Sequence, residues 1–258
     1  MSVSVVERTL QWVFGDEGDV ATEPQMQLVM AATATSVAGV FVVTPIVSSL
    51  AGPFGVSEAA IGQLITAFTA PSILLTPVMG VLADRVGRKP VLFAGLVLFG
   101  LAGAAVAFTT SFTVALGLRI VQGIGYAATM PIGVAVLGDL YADSRETTAQ
   151  GLRVAGIQVM VLISPPLAGA LAVGSWRYPF FLFLFALGVA VWSWRALPSL
   201  TMENTEARSL RAYGADFAVL VRRPVMAVVL FTFALRFFLT FAFFGYISVL
   251  LTREFGSS

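Results

Sequence analysis

The residues of this sequence that could do chemistry are the polar side chains that stand inside long apolar segments. Arg119, Gln122, Tyr126 and Met130 follow one another at intervals of three or four residues, so they share one face of a helix. A guanidinium that faced lipid there would cost at least about 2.5 kcal/mol. We therefore predict that this face borders a water-filled pathway. The alternative is an arginine buried against backbone carbonyls for structure alone.

Arg236 is the second arginine expected inside a membrane. It lies eleven residues into its apolar segment, which at about 1.5 Å per residue is roughly 16 Å deep, near the middle of a bilayer. No Asp or Glu lies in the core of any apolar segment. Two unpaired arginines that faced one cavity would favour an anionic substrate. The alternative is that Arg236 pairs with a residue outside this sequence.

A charged motif closes the second apolar segment. Asp84 stands at the C-terminal end of its helix, where the macrodipole is already negative, so it requires compensation by Arg85, Arg88 or another helix's N-terminus. Such a contact can form in one conformation and break in another. Gly80 permits close helix packing, and Gly87 permits a tight turn. The alternative is a basic loop that is merely held in the cytosol. The charged motif consists of Gly80, Asp84, Arg85, Gly87, Arg88 and Lys89.

The composition places these residues in a membrane protein. Of 258 residues, 58% are hydrophobic and 11% are charged, against roughly 25% charged in soluble domains. This excludes a soluble enzyme or a nucleic-acid-binding protein. The absence of Cys and His removes disulfides, thiolate metal sites and the usual zinc and haem ligands. The one lysine, Lys89, lies in a charged loop, which excludes a retinal protein. We predict no enzymatic activity and no cofactor.

The elements that must position the polar residues are apolar segments long enough to cross a bilayer. They cover 27–51, 60–83, 90–109, 113–138, 152–173, 178–198 and 225–252. The predicted fold is therefore an all-α integral membrane protein. Its predicted parts are a cytoplasmic tail (1–26), a six-helix domain (27–198), a cytoplasmic linker (199–224), and a seventh helix with an external C-terminal end (225–258).

The connections between these segments alternate in charge, which predicts their orientation. Those after the second, fourth and sixth segments carry arginines, so by the positive-inside rule the N-terminus is cytoplasmic, in a cell membrane. The usual seven-helix receptors have the opposite orientation. The arginine-rich side carries Arg8, Arg85, Arg88, Lys89, Arg145, Arg153, Arg195, Arg208, Arg211, Arg222 and Arg223, whereas the other carries Arg177 and Arg253.

Four short motifs follow one another on these segments. They are Gly80-Val-Leu-Ala-Asp84-Arg85-Val-Gly87-Arg88-Lys89-Pro90, Arg119-Ile-Val-Gln122-Gly123-Ile-Gly125, Pro165-Pro166-Leu-Ala-Gly169-Ala170 and Trp176-Arg177-Tyr178. In order, they resemble the G-x-L-a-D-r-x-G-r-k, R-x-x-Q-G-x-g, G-P-x-x-G-G and W-R-w/y motifs of the major facilitator superfamily. Pro165 and Ala170 stand where the third motif has glycines. The resemblance covers 27–198 and continues into the linker and the seventh segment.

The resemblance implies secondary active transport of a small solute by alternating access, with proton-coupled efflux as one form of it. Many multidrug antiporters of the superfamily carry a carboxylate in the first helix. This sequence offers only hydroxyl side chains there, which argues against a cationic drug. The implied sites are a substrate pathway of Arg119, Gln122, Gly123, Tyr126 and Arg236, the charged motif as a cytoplasmic gate, and an antiporter-like motif of Pro165, Pro166 and Gly169.

The superfamily normally has twelve helices, as two six-helix halves that rock about a central site. The sequence supplies one half and the first helix of the other, so we expect it to require the missing C-terminal half or a second chain. In the family, Asp84 would meet the N-terminus of helix eleven. Two alternatives stay open: a truncated, non-transporting remnant or membrane interaction module, and a transporter of two half-size chains. The other expected partners are a small-molecule substrate, protons and the lipid bilayer, with no nucleic acid.

Overall fold

The computed structural model describes residues 15–198, 223–228, 231–232 and 235. Within them, six helical stretches are long and apolar enough to cross a membrane, which confirms the predicted all-α membrane fold. We number these spans first to sixth, and their bounds are Pro24–Phe54, Glu58–Val86, Arg88–Phe108, Phe112–Leu140, Asp143–Gly174 and Tyr178–Ala196.

The chain divides into two compact units, Met1–Ala207 and Arg208–Ser258. All six spans belong to the first unit. In the second unit, residues 224–228 are helical. Most of the predicted linker and of the predicted seventh helix, including Arg236, lies outside the described residues.

The spans are built from α-helices with short 3₁₀ pieces at their ends. The 3₁₀-helix Gly15–Thr22 precedes the first span, which consists of Pro24–Phe41, the 3₁₀ turn Thr44–Ile46 and Val47–Phe54. The second span consists of Glu58–Ile61 and Gln63–Val86, and the third of Arg88–Ala105 and the 3₁₀ turn Val106–Phe108. The fourth and fifth spans are the single helices Phe112–Leu140 and Asp143–Gly174. The sixth span begins as the 3₁₀-helix Tyr178–Leu184 and continues as Phe185–Ala196.

Local sequence signals set where several helices begin and turn. The hydroxyls of Ser57 and Ser111 cap the second and fourth spans by accepting the N–H groups of Ala60 and Val114, at 3.3 and 3.5 Å. Gly87 alone separates the second span from the third, and its φ of +102° is a conformation that other residues rarely adopt. The structure therefore has a tight turn at Gly87.

The fifth span begins earlier than hydropathy predicts. Its helix begins at Asp143, whereas the predicted apolar segment begins at 152. The residues between are polar, so a pattern based on hydrophobicity does not include them. Asp143 and Glu146 lie in the first turn, where acidic side chains interact favourably with the helix dipole. These residues therefore extend the helix beyond its apolar part.

Glycines let the fourth span pack tightly against two neighbours. A Cβ atom on Gly123 would overlap the backbone of Phe68 in the second span, and one on Gly125 would lie 2.5 Å from a carbonyl oxygen of the third. Only residues without a side chain allow such close contact between helices. Around this contact, the rings of Phe68, Phe99 and Phe183 meet edge to face, with centroids 6.2 and 5.5 Å apart.

The spans differ in how much surface they bury against one another. In the most apolar part of the first span 72% of the residues are buried, whereas the values are 22% for the second span and 11% for the fifth. Ile73 of the second span and Leu162 of the fifth are among the most exposed large apolar side chains. The second and fifth spans therefore bury the least surface of the six.

Candidate functional site

Arg119 is fully buried and joins three spans by hydrogen bonds. Its Nε donates to the carbonyl of Leu64 in the second span (3.1 Å), and its Nη2 donates to the carbonyl of Gly39 in the first (2.5 Å). Its Nη1 donates to Oε1 of Gln122, one turn along the fourth span (2.6 Å). The guanidinium carbon lies 4.6 Å from the ring centre of Phe68. These contacts fix the fourth span against the first and the second.

The charge of Arg119 is compensated by backbone rather than by an acid. Gly39 lies in the last turn of the helix Pro24–Phe41, where carbonyl groups lack helical partners and carry the negative end of the dipole. A guanidinium is therefore a suitable donor at that position. The structure places Arg119 against protein on all sides, which is the geometry expected of an arginine buried against carbonyls.

Tyr126 shares the ring of Phe68 with Arg119, and Gln122 is hydrogen-bonded to Arg119. The Tyr126 ring is half-buried, with its centroid 5.2 Å from that of Phe68. Gln122 is fully buried, and within the described part of the chain its Nε2 has no hydrogen-bond partner. Gly123 packs against the backbone of Phe68 in the second span. The structure thus brings together the four fourth-span residues predicted for the pathway, on the side of the helix that meets the second span.

Arg153 of the fifth span lies near the same helix face, and the sequence analysis included it only among the basic residues that set orientation. Its Nε donates to Oε1 of Gln150 (2.9 Å), and its Nη1 lies 3.9 Å from the sulfur of Met130. Gln150 Nε2 in turn donates to the carbonyl of Val134 in the fourth span (3.1 Å). Spacing along the sequence gives no signal for this contact, because it joins different helices.

The charged motif contacts the ends of two other spans at what we call the basic end of the bundle, the end that carries Arg88, Lys89 and Arg145. Arg88 forms an ion pair with Asp139 at the end of the fourth span. Lys89 Nζ donates to the carbonyl of Leu197 (2.8 Å) and lies 5.4 Å from the ring centre of Trp194, both at the end of the sixth span. The motif therefore joins the third, fourth and sixth spans.

The remaining residues of the charged motif have different surroundings. Asp84 is half-buried. Arg85 is exposed. A Cβ atom on Gly80 would have no heavy atom within 4 Å among the described residues. The sequence indicated Arg88 as a candidate partner of Asp84, whereas the contact of Arg88 with Asp139 was not predicted.

A second charged cluster, here called the N-terminal clasp, ties the 3₁₀-helix Gly15–Thr22 and Glu23 to the start of the fifth span. Arg145 pairs with Asp19 (3.0 Å) and with Glu23 (2.6 Å). The Tyr141 hydroxyl donates to the other oxygen of Glu23 (2.6 Å), and Thr148 donates to Glu17 (2.8 Å). Burial, followed by the hydrogen bond to Glu23, raises the pKa of the Tyr141 phenol. This cluster was not predicted from the sequence.

The last two motifs lie on the fifth span and at the opposite end of the bundle. Pro166 is exposed, and a Cβ atom on Gly169 would meet no described heavy atom within 4 Å. Pro165 is half-buried in the same continuous helix. At the start of the sixth span, Arg177 Nε donates to the Ala107 carbonyl (2.9 Å), and its guanidinium carbon lies 4.6 Å from the ring centre of Trp176. Within the described residues, no group of three or more acidic side chains could hold a metal ion.

Known proteins share this sequence pattern over much of the chain. The sequence profile of the Major Facilitator Superfamily matches residues 29–258. The multidrug transporter MdfA of Edwardsiella piscicida is 27% identical over 187 residues, which are 70% of this chain and 44% of that protein. The bacillibactin exporter of Bacillus subtilis (strain 168) is 33% identical over 144 residues, which are 53% of this chain and 36% of that protein. The chain thus spans less than half the length of these two curated relatives.

The fold is also similar to a solved structure. The crystal structure of the human organic anion transporter MFSD10 superimposes with a TM-score of 0.57 and 18% sequence identity. The similarity covers 73% of this chain and 49% of that one. At this level of identity, the comparison supports a shared fold.

Proposed function

Since the chain belongs to the Major Facilitator Superfamily, we propose that it serves secondary active transport of a small solute across the plasma membrane by alternating access. The profile match over residues 29–258 carries this proposal. The names of the two bacterial relatives, a multidrug transporter and a bacillibactin exporter, support efflux as the direction. Members of the superfamily are multi-pass membrane transporters rather than enzymes.

The proposed pathway follows the fourth span, along Arg119, Gln122, Gly123 and Tyr126, with Arg236 contributed by the seventh helix. In this proposal Arg119 holds the first, second and fourth spans in register. The hydrogen bonds of Arg119 to two carbonyls support that role. During alternation its guanidinium exchanges one of these acceptors for the substrate or for a neighbouring side chain, with Gln122 as the adjacent polar group.

The proposed cytoplasmic gate is the charged motif together with Asp139. The ion pair of Arg88 with Asp139 supports it, because a contact between the ends of two spans can break when those ends separate. We take the basic end as the cytoplasmic side, with the N-terminus inside, from the distribution of arginines. Protons are the proposed coupling ion, with Asp84 and Asp139 as the acids that would bind them.

The proposed partner of the six-helix unit is a second helical bundle. The outward surfaces of the second and fifth spans support this proposal, since only 22% and 11% of their most apolar residues are buried. The open surroundings of Gly80 and Gly169 support it as well. The second bundle is either further sequence of the same protein or a separate chain, and lipid surrounds both. The same exposed surfaces favour the rival proposal, a membrane interaction module that does not transport.

Transport by everted membrane vesicles tests the proposed function. Vesicles from cells that express the chain are given a proton gradient, and uptake of three fluorescent probes is followed: cationic ethidium, anionic carboxyfluorescein and a neutral dye. We expect uptake of at least one probe, its collapse with an uncoupler, and its loss in Arg119→Ala with membrane insertion intact. The rival proposal of a membrane interaction module would be supported by two results together. Vesicles with the chain would take up no more probe than vesicles without it, and Asp84→Asn would not change that uptake.

A further inference from the structure

We propose that Arg153 binds the solute through an anionic group, such as a carboxylate or a sulfonate, at the basic end of the pathway. This inference rests on the proposed transport function, because it names the chemical class of solute for the same pathway. It replaces the expectation from sequence that Arg119 and Arg236 together favour an anion.

Arg153 reaches from the fifth span to the proposed pathway. It lies ten residues after Asp143, or about 15 Å along the helix. A Cβ atom on Gly133 in the fourth span would lie 4.0 Å from the Cδ atom of Arg153 and 3.5 Å from Val29 in the first. The side chain therefore lies where three spans meet. Its Nη1 contacts Met130, which continues the helix face of Arg119, Gln122 and Tyr126 toward the basic end.

The partners of Arg153 leave its charge uncompensated within the part of the chain that the structure describes. Arg88 pairs with Asp139, and Arg145 pairs with two acids. Among the described residues Arg153 forms no ion pair. Its polar contacts are a neutral amide oxygen and a thioether, which are weaker acceptors than a carboxylate.

The guanidinium of Arg153 is also prepared to bind a further acceptor. It has five N–H donors, of which the two contacts with Gln150 and Met130 use one each. Gln150 is fixed by its own bond to the Val134 carbonyl, so it holds the Nε side of the guanidinium in place. The side chain is half-buried, in contrast to the fully buried Arg119. A planar carboxylate can therefore bind to its remaining donors in a bidentate manner.

The charge around this position favours an anion over a cation. The acidic residues of the described spans lie near span ends, and none lies in an apolar core. A partly desolvated cation without an acidic neighbour attracts anions and repels cations more strongly than it would in water. Because Arg153 faces the fourth span, the anionic group belongs to a solute in the pathway rather than to a lipid headgroup at the surface.

Binding of two matched probes to the full chain in phosphatidylcholine nanodiscs tests the inference. The probes are 1-naphthoate and 1-naphthylmethylammonium, which share a ring and differ in charge, and binding is measured by equilibrium dialysis. We expect tighter binding of the anion, a loss of about tenfold or more in its affinity in Arg153→Gln, and unchanged affinity for the cation. Arg195→Gln removes an exposed arginine at the same end of the bundle and is the matched control. Arg153→Lys keeps the charge and serves as a second variant if Arg153→Gln fails to fold.

Three results would overturn the inference: preference for the cation, equal anion affinity in the wild type and Arg153→Gln, or loss of anion binding when the nanodiscs contain phosphatidylglycerol. The last would assign Arg153 to a lipid headgroup. Uptake of the same probes into proteoliposomes separates this inference from the proposed function. Arg153-dependent binding of naphthoate without uptake leaves the inference standing and argues against transport by the chain. Uptake of the cation without binding of naphthoate supports transport by the chain and overturns the inference about Arg153.

Discussion

Arg88 and Asp139 meet where little water reaches them, with side chains that are 9% and 23% exposed. Removing one member of such a pair leaves the other without a partner, which costs more than removal of a surface ion pair. We expect Arg88→Gln and Asp139→Asn each to lower the free energy of unfolding by about 1–3 kcal/mol. The double variant should lose less free energy of unfolding than the two single variants lose together, because the two residues interact with each other.

A double-mutant cycle, measured by denaturant unfolding of the chain in detergent, checks this expectation. Arg85→Gln is the matched control, since it removes an exposed arginine from the same motif and should change stability little. Effects of the two single variants that simply add would argue against the ion pair.

Tyr141 makes the contribution of the N-terminal clasp to stability depend on pH. Burial and the hydrogen bond to Glu23 raise its pKa above the ordinary value, which is about 10. Below about pH 10 the phenol is protonated in both the folded and the unfolded chain, so its contribution to stability is complete. Above about pH 10 the Tyr141 phenol ionises in the unfolded chain before it ionises in the folded chain. Its contribution to stability is therefore lost as the pH rises toward the folded-state pKa. We expect the wild-type unfolding midpoint to fall above about pH 10 and that of Tyr141→Phe to fall less steeply.

Unfolding of the two proteins followed from about pH 8 to about pH 11.5 measures this difference. Tyr178→Phe, which changes an exposed tyrosine at the opposite end, should keep the wild-type slope. Parallel curves for the wild type and Tyr141→Phe would mean that Glu23 does not hold the phenol.

For single residues, the sequence predicts neighbours along one helix and does not predict contacts between helices. Spacing by three and four correctly grouped Arg119 with Gln122, because those residues are one turn apart. The acceptors Gly39 and Leu64 lie 80 and 55 residues away from Arg119, so no local pattern identifies them. The same reason explains why Arg153 and the Arg88–Asp139 pair were not predicted.

The contact between the third and fourth spans depends on glycine at one position. A Cβ atom on Gly125 would lie 2.5 Å from the Gly95 oxygen and 2.6 Å from the Phe99 nitrogen, both backbone atoms that cannot move without shifting the helix. We expect Gly125→Ala to lower the free energy of unfolding by about 1–3 kcal/mol, the typical cost of overpacking.

Gly117 is a matched control on the same helix, because a Cβ atom there would meet nothing within 4 Å. Gly117→Ala should leave stability unchanged or raise it by up to about 1 kcal/mol, since alanine favours helix. Thermal unfolding of both variants in detergent distinguishes the two effects. Equal stability of the variants would mean that the third and fourth spans do not pack closely at Gly125.

Hydropathy predicted the number and order of the described spans because a bilayer imposes the same apolar length on each helix. It predicted the beginning of the fifth span poorly, since the first turns of that helix are polar and lie beyond its apolar part. The 3₁₀ start of the sixth span, Tyr178–Leu184, was also not predicted, because hydrophobicity alone does not distinguish 3₁₀ from α-helix.

For the whole molecule, the exposed second and fifth spans predict where a partner binds. The sequence contains no cysteine, so single cysteines can be introduced without background labelling. A benzophenone attached through Ile73→Cys or Leu162→Cys should form adducts with protein when native membranes are illuminated. One attached through Leu101→Cys, which is also exposed but lies on the better buried third span, should react with lipid only. Mass spectrometry identifies the adducts, and lipid adducts alone at all three positions would argue against a partner bundle.

The two ends of the bundle each carry a tryptophan beneath a cation, Trp194 with Lys89 and Trp176 with Arg177. A nearby positive charge shifts indole emission, so each end has its own optical reporter without any added dye. Replacement of the other tryptophans by phenylalanine would leave Trp194 as the one indole. Its emission would then change if Lys89 and Trp194 moved apart at the basic end. The proposed opening of the basic end can thus be tested in real time by fluorescence.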